Sequence, residues 1–192
     1  MGAEIRASYT KLGLKHFKRS HPEHWERLVQ VADPSVLEDL RKASTLAWLP
    51  AELHGIVADA IIEAAGRSEA RALWSDVILG AFDHRMLAPI VSAAMRLYGK
   101  TPPSIMRMTP HAWPLVFREC GHSWMEPISD SHAAMAFAEL PRAIMQSTGI
   151  LDSFIGNCDA ALRYTGYIGS ATPSYAKLAD ASFSIDVHWQ KP

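Results

Sequence analysis

The chain is poor in cysteine, with only Cys120 and Cys158 in 192 residues. Neither belongs to a CxxC pair, so there is no thiol cluster of the kind that holds zinc or shuttles disulfides. Long hydrophobic runs are lacking too. Asp, Glu, Arg or Gly breaks each apolar stretch well before the roughly 18 residues that a membrane-spanning helix needs. The opening Met1-Gly2-Ala3-Glu4-Ile5-Arg6 lacks the apolar core of a signal peptide, and Arg6 stands where a myristoylation signal wants Ser or Thr. The expectation is a cytoplasmic protein with reduced cysteines and no membrane span. Charge of one sign is scarce as well: the formal net charge is −1 and the pI is about 6.7. The closest approach to a basic run, Lys11, Lys15, Lys18 and Arg19, reads as the wet face of a helix, so no nucleic-acid partner is expected.

Catalytic and metal signatures are missing in the same way. There is no HExxH, no GxSxG, no P-loop and no GxGxxG. His16, His21 and His24 have no carboxylate or cysteine at the spacing of a zinc shell, and His122 and His132 flank an expected hairpin as a bare pair. The expectation is no metal and no assembled catalytic set. Asp83-His84 and Asp186 with His188 are the acid–base couples to watch. Alternation along a strand puts the second couple on one wet face, about 7 Å apart. Cys158 falls on a buried helical seam and reads as an inert thiol.

What is present is an ordinary globular composition, 48% hydrophobic and 20% charged, at a length that suits one buried core. Periodicity predicts a single α+β domain over residues 1–192. Its N-terminal two-thirds is helical and packs on a small C-terminal antiparallel sheet, with one long helix between hairpins. Helical spacing covers about 5–19, then a helix capped by Ser20 with Pro22 in its first turn, and a short helix after Asp33-Pro34. Pro50 is expected to start a helix over 50–65 after the turn Trp48-Leu49-Pro50. Further helices follow from about Ser68, over 85–98 and over 110–119. The period then changes to two. Residues 122–128 and 132–138 predict a hairpin, and Phe183, Ile185, Val187 and Trp189 alternate in a last strand after a Gly-interrupted one at 165–172. Between the hairpins, Ile144, Thr148, Leu151, Ile155, Cys158 and Leu162 mark one helix over 141–163, whose seam serves a core or an interface equally well.

Six tryptophans are many for this length. A core with so much aromatic area either closes completely or leaves a pocket for an apolar ligand. The expected pocket residues are Trp48, Trp74, Tyr98, Trp113, Phe117 and Phe154.

The order of these pieces resembles a large paralogous family of uncharacterised myxobacterial proteins. The resemblance rests on Trp48-Leu49-Pro50, on Leu87-Ala88-Pro89, and on Trp113, Phe117-Arg118 and Gly121. It continues through Leu140-Pro141, the helix with Gly149, Leu151 and Gly156, and the closing Ile185-Asp186-Val187-His188-Trp189. That family is similar in layout to 4-vinyl-reductase-type domains, and through them to heme–nitric-oxide sensors and the vesicle-tethering TRAPP subunits. The resemblance implies helices packed on a small antiparallel sheet, an interior able to hold a hydrophobic ligand, and homomeric or heteromeric pairing. The sequence departs from it twice. No cysteine stands between Tyr164 and Pro192, and the Tyr-x-Ser-x-Arg signature of the heme sensors is absent. The main expectation is therefore a non-catalytic sensing or scaffolding module, without a cofactor, that binds a small apolar ligand or a protein partner. One alternative is a heme-type sensor or small enzyme using His111 or the Asp186/His188 pair. Another is a structural dimerisation unit built on the 141–163 seam.

Overall fold

In the computed structural model, which describes residues 2–82 and 88–191, the chain begins with a three-residue strand. β1 (Glu4–Arg6) leads into α1 (Ala7–Ser20), α2 (Pro22–Val31) and α3 (Pro34–Lys42). After β2 (Trp48–Pro50) come α4 (Ala51–Ala65), α5 (Arg67–Phe82), α6 (Ala88–Tyr98), α7 (Pro102–Met106) and α8 (Thr109–Val116). β3 (Phe117–Arg118) and the hairpin β4 (His122–Ser129) and β5 (His132–Ala138) follow. The chain closes with α9 (Arg142–Met145), α10 (Thr148–Thr165), β6 (Ile168–Ser174) and β7 (Phe183–Gln190). This is the expected α+β order: helices, hairpin, long helix, hairpin.

The C-terminal sheet runs β4-β5-β7-β6, antiparallel throughout. Along β7 the alternation is strict. Met135 and Phe137 of β5 and Phe183, Ile185, Val187 and Trp189 of β7 are buried on one face, while Asp186 and His188 stand on the other. A second sheet, β2-β1-β3, was not expected. Trp48-Leu49-Pro50 is a strand in it and not a turn, and β1 takes the first residues of the expected 5–19 helix. Phe117 and Arg118 likewise leave the expected 110–119 helix to pair with β1. Pairing across more than a hundred residues overrode local propensity. The indole of Trp48 lies between the guanidinium groups of Arg6 and Arg118, at 4.0 and 4.2 Å.

Local hydrogen bonds account for two other departures. Ser20 does not cap α2. Its hydroxyl donates to the His16 carbonyl one turn back, so α1 runs on through it. The helix expected over 141–163 is two, because the Ser147 hydroxyl accepts from the Ile150 N–H and starts α10 afresh. Gly166, left-handed at φ 81°, ends α10. His122 and His132 sit at opposite ends of the hairpin, His122 across from Ala138 and His132 across from Ser129. The Asp83-His84 couple lies outside the described residues.

The seam of α10 is satisfied within the chain. α10 packs against α4 and α5 and covers the inner face of the sheet, and Leu151, Ile155, Cys158 and Leu162 are all buried. Two glycines allow this closeness. A Cβ on Gly149 would lie 2.3 Å from the Ala58 carbonyl carbon of α4, and one on Gly156 would lie 2.6 Å from the Arg71 oxygen of α5. Asp152, on the same helix, is fully buried and accepts two hydrogen bonds each from Arg67 and Arg71 of α5. Asp59 of α4 accepts the first free N–H of the helix, from Gly149, at 2.6 Å.

Four outcomes follow for urea denaturation. Gly149→Val should destabilise by about 3 kcal/mol or more, since backbone cannot move aside for it. Gly80→Ala, in open space on α5, should gain up to about 1 kcal/mol. Asp152→Ala should cost about 2–4 kcal/mol, because two guanidinium groups lose their counter-ion and Asp152 is buried. Arg67→Ala should cost about 1 kcal/mol at most, since Arg67 is half-exposed and Arg71 remains. Equal losses for Asp152→Ala and Arg67→Ala would contradict this account.

Candidate functional site

Where α8, α7 and α5 close over the inner face of β5 and the flank of α10, packing is incomplete and a cavity of about 110 Å³ remains. Its wall is aromatic. Trp113 stacks on Phe117 with ring centroids 4.1 Å apart and meets Phe154 edge-on at 5.1 Å, while Phe137 stacks on Phe154 at 5.0 Å. The indole N–H of Trp113 donates to the Gly121 carbonyl, 3.2 Å away, which leaves the ring an apolar surface toward the cavity. Met106 and Met135 complete that side. None of the described lining residues is charged.

Three lining side chains carry a polar group: Thr109, Asn157 and Cys158. Burial pushes the Cys158 thiol well above its usual range, so it stays protonated and unreactive. The Asn157 amide is fixed from behind. The Tyr9 hydroxyl of α1 donates to its Oδ1 at 3.3 Å. Burial raises the Tyr9 phenol to about 12, against the smaller pull of hydrogen bonds to Ser153 and Asn157, so it remains a donor across the neutral range.

Tyr9 also belongs to a buried cluster on the far side of the cavity wall. Its ring lies 5.1 Å from that of Trp74 and 5.2 Å from that of His54. His54 Nδ1 shares a hydrogen bond of 2.9 Å with the Thr10 hydroxyl, whereas His54 Nε2 and the Trp74 indole N–H have no partner among the described residues. Burial pushes the His54 pKa down to about 3.

Of the residues expected to line a pocket, Trp113, Phe117 and Phe154 surround the cavity. Trp74 lies behind it, packed against Gly13 in the helical core, and Trp48 lies in the small sheet. Tyr98 is exposed at the end of α6, with the Arg107 guanidinium 5.4 Å from its ring centroid. His111 is exposed in the first turn of α8 and is not among the lining residues. Asp186 engages His132, at 2.9 Å, and His188 stacks on His132 with centroids 3.8 Å apart, on the outer face of the sheet. The residues missed from sequence were Asn157 and Tyr9. A polar residue one position after Gly156 on an otherwise buried helix was the available signal. Among the described residues, no group of three or more His, Cys, Asp or Glu is arranged to hold a metal ion, and no helix is long and apolar enough to cross a membrane.

The fold is that of the H-NOX domains. The crystal structure of an Fe(II) unliganded H-NOX protein from K. algicida superposes with a TM-score of 0.70 at 7% identity, over 98% of each chain. An oxygen-binding H-NOX domain related to soluble guanylate cyclases, in its oxygen complex, gives 0.63 at 10% identity over 98% of this chain and 96% of the other. A structure from work on heme distortion in the H-NOX family gives 0.66 at 9% over the same shares. No protein-family model matches the sequence, and no curated protein matches it.

The fold family thus raises heme, and the donor set of the cavity tests it. Axial ligation draws on imidazole, thiolate, thioether or phenolate. Among the described residues no histidine or tyrosine lines the cavity and its one thiol is held protonated, so the thioethers of Met106, Met108 and Met135 are its axial donors, and no lining cation is present to meet propionate groups. The volume is also below the roughly 300–1,000 Å³ of sites for drug-sized ligands. The described residues thus offer heme thioether donors alone, in a space too small for it.

His54 gives the cluster a pH signature. It is neutral when folded but takes up a proton in the unfolded chain below its ordinary pKa of 6.5. Its contribution is complete above pH 6.5 and is lost as pH falls toward 3, at up to about 1.4 kcal/mol per pH unit. His54→Gln should flatten that loss between pH 6 and pH 4 in urea titrations. Parallel pH profiles for the two proteins would refute the assignment.

Proposed function

We propose that this chain is a non-catalytic sensing module on the H-NOX fold that takes a small apolar molecule into the cavity beneath Trp113. The observation that carries this reading is the cavity itself, an apolar aromatic pocket with few polar groups inside an otherwise well-packed core. Support also comes from the fold, whose known representatives include an oxygen-binding domain. The catalytic alternative has less behind it, because His111 and the Asp186/His188 pair stand apart from the cavity. Output passes to a partner protein or a second copy of the chain. A dimer cannot rest on the α10 seam, which is covered within the chain.

Heme is the second reading, favoured by likeness over 98% of the chain to proteins of a heme-binding family and opposed by the cavity's donors and volume. Native mass spectrometry of freshly purified protein, with an absorbance scan of the same sample, separates the two. The expected result is a small added mass without a Soret band, lost in Ala112→Leu, which fills the cavity. A Soret band would establish the heme reading instead. A bare mass for the wild type, unchanged when benzene is added, would overturn the apolar-ligand reading.

A further inference from the structure

The cavity is apolar, but one group in it is built to be used. Asn157 lines it, and the Tyr9 hydroxyl engages its Oδ1 from outside. A primary amide held by its oxygen has a fixed plane, so the direction of its Nδ2 hydrogens is fixed too. Among the described residues Asn157 Nδ2 donates to nothing. A ligand that carries an acceptor would give this N–H₂ a partner that it lacks among the described residues. Thr109, the comparable neighbour, has no partner among the described residues to orient its hydroxyl. The other described wall groups are rings, alkyl groups, thioethers and the Cys158 thiol, and none of the described lining side chains is charged. Size sets the other limit. An engineered cavity of about 150 Å³ holds benzene, and this one measures about 110 Å³.

From these features we infer that the ligand is a small neutral carbonyl compound, no larger than a single five- or six-membered ring, whose oxygen accepts from Asn157 Nδ2. Tyr9 is a positioning residue: it holds the amide oxygen so that only the N–H₂ faces the ligand. This rests on the apolar-ligand reading above and adds the chemical class. Carboxylates and amines are excluded by the cost of burying an unpaired charge against rings. Saturated hydrocarbons enter but leave the amide unsatisfied, and sites built to hydrogen-bond a ligand discriminate strongly against analogues that lack the bond.

Cyclopentanone and methylenecyclopentane test this, since they share one shape and differ in C=O against C=CH₂. Affinities come from titrations followed by Trp113-sensitive fluorescence, and the Asn157 side-chain amide signals are followed by ¹H–¹⁵N NMR. The ketone should move the amide signals and the alkene should leave them near their free positions. The ketone-to-alkene affinity ratio should fall about tenfold in Asn157→Leu and a few-fold in Tyr9→Phe, the size of one hydrogen bond. It should be unchanged in Thr109→Val. Retained alkene binding in Asn157→Leu shows that the variant is folded and its cavity intact. An equal ratio in wild type and Asn157→Leu, with both probes bound, would overturn the carbonyl assignment and leave the apolar-ligand reading standing. Binding of neither probe to the wild type would overturn both.

Discussion

A helix can be buried on nearly every side only if neighbouring backbones come within contact distance and every buried charge finds a partner. In this protein α10 meets both demands. Gly149 rests on the backbone of α4 and Gly156 on that of α5, where any Cβ would collide. Between them Asp152 draws Arg67 and Arg71 onto the helix. The sheet, the aromatic wall and the cavity all take their positions from a helix that cannot shift. Moving α10 outward by the width of a methyl group would break the Asp152 hydrogen bonds and open the core together.

The same helix carries the polar side of the cavity. Gly156 faces α5, and the next residue, Asn157, faces the cavity, so the close approach that stabilises the fold also sets the depth of the amide. Tyr9 reaches that amide from α1, the helix whose Gly13 lies against Trp74. Stability and the proposed binding therefore share residues. His54 Nε2 and the Trp74 indole nitrogen, without partners among the described residues, lie in that shared region, and buried polar atoms without partners cost stability that the surrounding packing must offset.

The likeness to H-NOX domains at 7–10% identity shows how weakly a fold constrains its site. Strand alternation, helix periodicity and a few close approaches are enough to reproduce the architecture. Ligand chemistry depends on a handful of side chains that can change without disturbing the fold. The absence of the Tyr-x-Ser-x-Arg signature and the aromatic filling of the cavity point the same way: a shared architecture around a small apolar space.

The α+β order, the strict alternation of β7 and the burial of the α10 seam were legible in the sequence, because they follow from local period and from the cost of exposing apolar surface. Trp113, Phe117 and Phe154 could be named as large apolar groups for the same reason. The small sheet could not, since β1 pairs with Trp48 and Phe117 across long stretches of chain. Nor could the pairing of Tyr9 with Asn157, or that of Asp186 with His132 and not His188. Those contacts join residues far apart in the chain, and no local pattern encodes a distance that only packing creates. The sequence by itself determined which surfaces must be buried; the tertiary structure decided which of them meet, and where they fail to meet closely enough to leave a site.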